Sequence, residues 1–335
     1  MGEPDLTPPQ QTVRLLMGFI SARAIYAAAK LGVADRVDDA GSTERELANR
    51  LGTDRSGLGR LLRALTGLGV LRGDDEGRYF LTEIGETLRI DSPRSIRDYA
   101  IYVHEFLYDL FGRLPESVRD GKPIVEAALG APLFTYLQQH KDKAALFHAG
   151  LANRGRVEAP AILKAYDFGN CKCVADLGGG NGAFLSAVIA AYPGISGILL
   201  ERAPAIEAAR RGEGGPLPHC ELIVGDYFEV VPAGADLYVF KRVLFDHDND
   251  EVVRILRNCR AVMKPDSRMV IIEGLAGALN EPSLAHLMDL TFLLATTGRM
   301  RTSREYAELL GAARLNLQQC LPTGSDVSVL EAVPL

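Results

Sequence analysis

The stretch Cys173-Val174-Ala175-Asp176-Leu177-Gly178-Gly179-Gly180-Asn181-Gly182-Ala183 decides the fold. A short apolar run passes, through an acid and a leucine, into glycines interrupted only by one asparagine. That pattern is a buried strand feeding a turn whose backbone can approach a ligand closely. Residues 183–192 then read as a helix, broken by Pro193-Gly194, and Gly197-Ile198-Leu199-Leu200-Glu201 reads as a second strand ending in an acid. Further strands are expected near 220–224, 237–240 and 269–273, with helices between them. Alternating strands and helices predict an α/β fold, with a Rossmann-like, mostly parallel, doubly wound sheet over residues 167–335.

A bare Gly-x-Gly turn is shared by nicotinamide and flavin enzymes, but two details separate this loop from theirs. An acid, Asp176, stands two residues before Gly178, and after Gly178 and Gly180 the third glycine position of a dinucleotide fingerprint is Ala183. Glu201, closing the second strand, is placed to accept hydrogen bonds from both hydroxyls of a ribose. Gly225-Asp226-Tyr227-Phe228 follows a later strand. An aspartate beside aromatics there can bond an adenine amine and cover its face.

Working toward the N-terminus, residues 10–31 show helical periodicity, with Gly18 a weak point and Gly32 the stop. Ser42-Thr43-Glu44-Arg45-Glu46 opens a short capped helix, and Thr53-Asp54-Arg55 opens a second one that runs to Leu68. Residues 70–73 and 78–82 flank the acidic turn Asp74-Asp75-Glu76-Gly77, a hairpin signal. Helix, helix and hairpin make a winged-helix pattern, so residues 1–100 are expected to form a mainly α domain. They hold 14 Lys plus Arg and 15 Asp plus Glu, and the wing tip is acidic, so a DNA-reading face is not expected. Residues 101–166 read as a helical bridge rich in Tyr, Phe and His, with breaks at Pro115, Pro123 and Pro132. His104 and Phe106 in it are candidates for lining an aromatic pocket.

The 335 residues, 47% hydrophobic and 24% charged with a net charge of −6, describe an ordinary globular protein with no chain-wide attraction to nucleic acid or anionic membrane. No uninterrupted apolar run reaches the roughly 18 residues of a membrane span, and residues 1–11 lack the features of a signal peptide. The five cysteines lack metal-ligand spacing, so a cytoplasmic, reduced protein without a metal is expected.

These motifs resemble the S-adenosylmethionine-dependent O-methyltransferases that modify plant phenolics and bacterial polyketides and aromatics. Residues 174–182, Gly225-Asp226-Tyr227-Phe228, and Lys241-Arg242-Val243-Leu244 leading into Arg254-Ile255-Leu256-Arg257-Asn258-Cys259 carry the resemblance, which spans essentially the whole chain. It implies S-adenosyl-L-methionine as cofactor and S-adenosyl-L-homocysteine as product. It also implies a small aromatic acceptor and a homodimer built through the N-terminal domain, in bacterial specialised metabolism. Gly178 is implied at the methionine end of the cofactor, Glu201 at the ribose, Asp226 and Tyr227 at the adenine, and Lys241 near the cofactor carboxylate. Asp176, Gly180, Arg202, Gly225, Phe228 and Arg242 complete the expected cofactor set. Phe147, Leu151 and Arg154 from the bridge, with Asp289, Thr291 and Phe292, are the implied acceptor residues.

The catalytic positions depart from the family. Lys-Arg-x-Leu is followed there by His-Asp-Trp, whose His deprotonates the acceptor. Here Phe245 stands at that position and His247 where Trp is usual. Glu273 matches one acid that orients the base. In the family's Gly-x-Glu-Arg-Thr pattern the second acid is replaced by Met300, in Gly298-Arg299-Met300-Arg301-Thr302. Three readings follow. The acceptor is already nucleophilic, as with the phenazine-type relatives that also lack the His. A displaced base, such as His247, His104 or His148, serves instead. Or the fold uses the cofactor for hydroxylation, decarboxylation or a pericyclic step rather than methylation. A non-catalytic interaction protein is the remaining alternative.

Overall fold

The computed structural model describes residues 6–280 and 283–335, so residues 1–5 of the stretch read for a leader lie outside it. The chain divides into two compact units: residues 1–109 with 141–154, and residues 110–140 with 155–335. The stretch 101–166 is therefore shared between both units.

In the first unit the N-terminal periodicity resolves into two helices, Pro8–Leu16 and Gly18–Leu31, which part at Met17. The second stops at Gly32, whose φ of 71° is the left-handed conformation that glycine adopts without strain. Thr43 caps the helix Glu44–Leu51 through a reciprocal pair of bonds with Glu46, and Asp54 caps Arg55–Gly67. Strand β1 (Ser42–Thr43) pairs antiparallel with β3 (Arg78–Leu81), which pairs with β2 (Leu71–Gly73). This is the expected winged-helix arrangement with one short strand added. Leu47, Leu62 and Leu65 are fully buried at its centre. By contrast Val13, Leu15, Leu16, Phe19 and Ile20 stay exposed, Leu15 at 81%. Residues 8–31 together are long and apolar enough to cross a membrane by length and composition, which the count of uninterrupted apolar residues did not register.

Helices part at the expected prolines, Pro115 and Pro132 standing at the start of the next helix, whereas Pro160 lies inside the helix Lys141–Ala165. Pro115 sits in the first turn of Leu114–Asp120, and Pro132 caps Leu133–Gln139. Its missing N–H costs nothing where the helix has no partner for it. The wide π-type turn Val103–Leu107 carries His104 and Phe106 and has no distinguishing periodicity in the sequence.

The second unit holds one seven-stranded sheet. Its strands are β4 (Cys173–Leu177), β5 (Ser196–Glu201), β6 (Cys220–Val224), β7 (Leu237–Lys241), β8 (Arg268–Glu273), β9 (Leu315–Pro322) and β10 (Ser328–Pro334), in the order β6-β5-β4-β7-β8-β10-β9. The five expected strands run parallel, and β9 and β10 add an antiparallel hairpin that the sequence reading lacked. Both faces are covered, as parallel sheets require. Val252, Ile255 and Leu256 of the helix Asn249–Val262 pack on one face with Tyr306 and Leu310, and Ile162, Phe184, Leu185 and Val188 pack on the other. Parallel strands on both sides of β4 bring Asp176, Glu201, Gly225, Lys241 and Glu273 to the same edge, where open α/β sheets bind ligands.

Candidate functional site

The glycine loop is built as a cradle. Gly178 and Gly180 have φ of 76° and 59°, so side chains there would be strained. A Cβ on Gly178 would lie 2.8 Å from Val243 and 3.3 Å from the Tyr227 ring, whereas one on Gly180 would meet nothing within 4 Å. The loop is thus packed tightly at Gly178 and at Gly182, where a Cβ would lie 2.7 Å from Leu217, and open between them at Gly180. Beneath it Asp176 is fully buried, and neither carboxylate oxygen has a hydrogen-bond partner among the described residues. Burial pushes this carboxyl up to about 7 against the pull of the Lys241 cation. A buried acid without a partner beside an open glycine turn fits a site that takes a polar, cationic group.

Glu201 closes the next strand. Its Oε1 accepts from the Arg202 amide at 2.6 Å and its Oε2 from the Gly180 amide at 3.3 Å, so it ties the loop to β5. Arg202 reaches across to the Asp226 carboxylate at 2.8 Å, whose other oxygen accepts from the Phe228 amide at 2.9 Å. Asn258 donates to the carbonyls of Tyr227 and Phe228 at 3.1 and 2.8 Å, which fixes the aromatic pair from behind.

Lys241 and Arg242 are both turned onto Glu158, a residue that sequence reasoning missed. Lys241 Nζ lies 2.9 Å from Glu158 Oε2 and Arg242 Nη2 lies 2.5 Å from Oε1, with a further contact from Arg242 to Asp326 at 3.1 Å. Burial opposes ionisation of Glu158, but the two cations override it and hold its carboxyl down at about 2. Glu158 is the one acid on the apolar stretch 157–163 of its helix, a signal that could have marked it. Arg242 adopts φ 56°, a strained backbone held in place by these ion pairs.

The turn after β7 is clamped through its main chain. Glu273 Oε1 accepts from the amides of Val243, Leu244 and Phe245 at 3.1, 2.6 and 3.2 Å, and Oε2 accepts from the Tyr306 hydroxyl. Expected to orient a base, Glu273 is instead spent on the backbone. From the other side the fully buried Arg301 donates to the carbonyls of Leu244 and His247 at 3.1 and 2.7 Å and to Asn249 at 3.0 Å. Gly298 backs directly onto this turn, where a Cβ would meet the Phe245 carbonyl at 1.8 Å.

Between the clamps, Phe245 packs on Phe292 with ring centroids 4.5 Å apart and joins Met300 in a buried apolar cluster. The Met300 amide donates to Asp289 at 2.6 Å, and Thr291 is half-buried. His247 does not face this cluster. Its Nε2 lies 3.0 Å from the Tyr227 hydroxyl, and its ring meets Phe228 edge-on at 5.0 Å. The remaining candidates belong to the first unit. His104 is stacked between Tyr26 and Tyr108, Phe106 and Phe147 pack with Tyr102, Arg154 donates to the Tyr99 hydroxyl at 3.0 Å, and Leu151 is 41% exposed.

The chain matches two family models, one for an O-methyltransferase domain over residues 111–315 and one for an O-methyltransferase dimerisation domain over residues 13–90. It is 33% identical to a phenazine O-methyltransferase of Lysobacter antibioticus, covering 96% of this chain and 95% of that one. It is also 33% identical to an 8-amino-8-demethylriboflavin N,N-dimethyltransferase of Streptomyces davaonensis, covering 98% and 96%. The crystal structure of human N-acetylserotonin methyltransferase in complex with S-adenosylmethionine superposes with a TM-score of 0.93 at 25% identity, covering 100% of this chain and 99% of that one.

Proposed function

The chain belongs to the S-adenosylmethionine-dependent O-methyltransferase family, and from that premise we propose that it methylates a small aromatic acceptor whose nucleophile needs no protein base. Such acceptors are an amine, a ring nitrogen, a carboxylate or an already ionised hydroxyl, in bacterial specialised metabolism of the kind its relatives serve. The observation that carries this reading is the Phe245, Phe292 and Met300 cluster, together with the full use of Glu273 by backbone amides.

S-adenosylmethionine supplies a methyl group made electrophilic by the sulfonium it sits on. Glu201 takes the ribose hydroxyls. Asp226, with Tyr227 and Phe228, takes the adenine; Arg202 steadies Asp226. The backbone of the loop at Gly178 and Gly180 and that of Gly225 would lie close to the cofactor, with Asp176 beneath the loop, and Lys241 and Arg242 would stand toward its amino-acid end. The protein's main contribution is alignment of acceptor and methyl, which alone can supply most of the rate. A general base is worth typically about 10²–10⁴-fold to a hydroxyl. An ordinary phenol, with a pKa of about 10, keeps its proton at neutral pH and forfeits that factor here. The phenazine relative acts on oxygen and the riboflavin relative on nitrogen, so the family accommodates both.

Release of S-adenosylhomocysteine across phenols, aromatic carboxylates, amines and ring-nitrogen heterocycles tests the reading. Turnover is expected with the acidic and nitrogen acceptors, and Phe245→His is expected to change it less than about tenfold. Equal rates on unactivated phenols, or a rise on the order of 100-fold in Phe245→His, would sink it.

The match to a dimerisation domain over residues 13–90 supports a homodimer, and we infer that the exposed apolar face of the first two helices packs on a second copy. The double variant Leu16→Glu, Ile20→Glu is expected to elute as a monomer in size-exclusion chromatography, because charges on a buried interface face leave it unpaired.

A further inference from the structure

We propose that His247 is a positioning residue for the cofactor: its imidazole holds the Tyr227 ring against the glycine loop and so joins the adenine-covering pair to the clamped turn that carries Phe245. The proposal rests on the assignment of Tyr227 to the cofactor given above. The Tyr227 main chain is held by Asn258 on its carbonyl, and its ring packs on Phe228 and edge-on to Phe240. Among the described residues its hydroxyl is held by His247 Nε2 at 3.0 Å. The far edge of the ring lies 3.3 Å from where a Cβ on Gly178 would be, so the position of this ring sets how much room the loop leaves.

His247 is itself held from several sides. Its carbonyl accepts from Arg301 at 2.7 Å, and its Nδ1 lies 3.6 Å from Glu251 on the following helix. The ring stands perpendicular to Phe228, and Phe228 is overlain by the Arg254 guanidinium at 5.3 Å. The imidazole is therefore a strut between two fixed bodies. It is also the wrong group for proton abstraction from an acceptor beside Phe245, because both of its nitrogens are engaged elsewhere.

The protonation states agree with this role. Burial raises the Tyr227 phenol, with nearby carboxylates Asp246, Glu201 and Asp226 adding to it, so the hydroxyl keeps its proton and donates. Burial lowers His247 from its ordinary 6.5; Glu251 and Asp248 oppose this, and the Arg301 cation reinforces it. The neutral ring presents Nε2 as the acceptor. Protonation makes Nε2 a donor, which the phenol oxygen can accept by rotating its own hydrogen away, so the contact reverses direction rather than breaking.

Calorimetric titration of S-adenosylhomocysteine into the full-length protein tests this, with folding of each variant checked by circular dichroism. His247→Phe and Tyr227→Phe are each expected to weaken binding about tenfold, and the double variant no further, because the two act through one bond. His247→Gln, which can still accept from the phenol, is expected to bind within about threefold of wild type. Additive losses in the double variant, or a loss in His247→Gln as large as in His247→Phe, would each overturn the proposal. Absence of binding by the wild-type protein would instead overturn the cofactor assignment on which it rests.

Discussion

Glu273→Ala is expected to lose roughly 3–5 kcal/mol of stability, a drop in the melting midpoint on the order of 10 °C, while Glu273→Gln loses about 1 kcal/mol. Alanine leaves the amides of Val243, Leu244 and Phe245 and the Tyr306 hydroxyl in a dry interior with no acceptor. Each buried donor stranded in this way costs about 1–3 kcal/mol. Glutamine keeps an oxygen for the three amides, so the turn survives. The sign with pH follows from burial, which raises the Glu273 carboxyl above its ordinary 4.5. The folded state therefore binds this proton more tightly than the unfolded chain. The group's contribution is fully present below pH 4.5 and declines as pH rises through the raised value, and Glu273→Gln abolishes that part of the slope. Differential scanning calorimetry of the three proteins at several pH values measures both effects. A Glu273→Ala midpoint within about 2 °C of wild type would show that the turn has another anchor.

Glu201→Ala is expected to weaken S-adenosylhomocysteine binding about 100-fold with a much smaller change in melting temperature. Two losses combine. The ligand hydroxyls lose a charged acceptor, worth about 1.5–3 kcal/mol for such bonds. The loop also loses its tie to β5, because Gly180 and Arg202 both donate to this one carboxylate. Titration calorimetry distinguishes this from global destabilisation. Glu201→Gln is expected to fall between wild type and alanine, since an amide oxygen accepts a bond but carries no charge. Binding within about threefold of wild type in Glu201→Ala would remove Glu201 from the cofactor site.

The parallel core of the sheet could be read in the sequence because its signals are local. Apolar runs, glycines at positions that need positive φ and helix-breaking Pro193-Gly194 lie within one strand-turn-helix unit. The hairpin of β9 and β10 was not legible. Its strands are antiparallel additions outside the repeating unit, and 315–322 alternates too irregularly, with polar Gln318-Gln319 at its centre. The π-type turn at Val103–Leu107 differs from a helix by one residue per turn, which no short pattern of apolar residues resolves. In the site, the ligand-facing glycines and strand-end acids were visible for the same local reason. The partners of Lys241, Glu273 and His247 were not. Glu158 lies 83 positions from Lys241, and Tyr306 lies 33 from Glu273. His247 is one of three sequence candidates for a displaced base because it lies two positions from Phe245, and the three-residue turn places its ring against Tyr227.

The clamp on the turn at 243–247 touches only peptide groups. Glu273 grips nitrogens and Arg301 grips oxygens, and neither contacts the side chain at position 245. The backbone trace of this turn is thereby specified apart from the side chain at 245, which adds only its packing on Phe292 and Met300. Position 245 is in this sense an interchangeable socket: a scaffold that keeps its shape can exchange the reactivity mounted in it through one codon. A library of residues of similar bulk there, such as leucine, methionine, tyrosine and histidine, should keep the turn while changing what it presents, because the backbone bonds remain and only the packing on Phe292 and Met300 is altered.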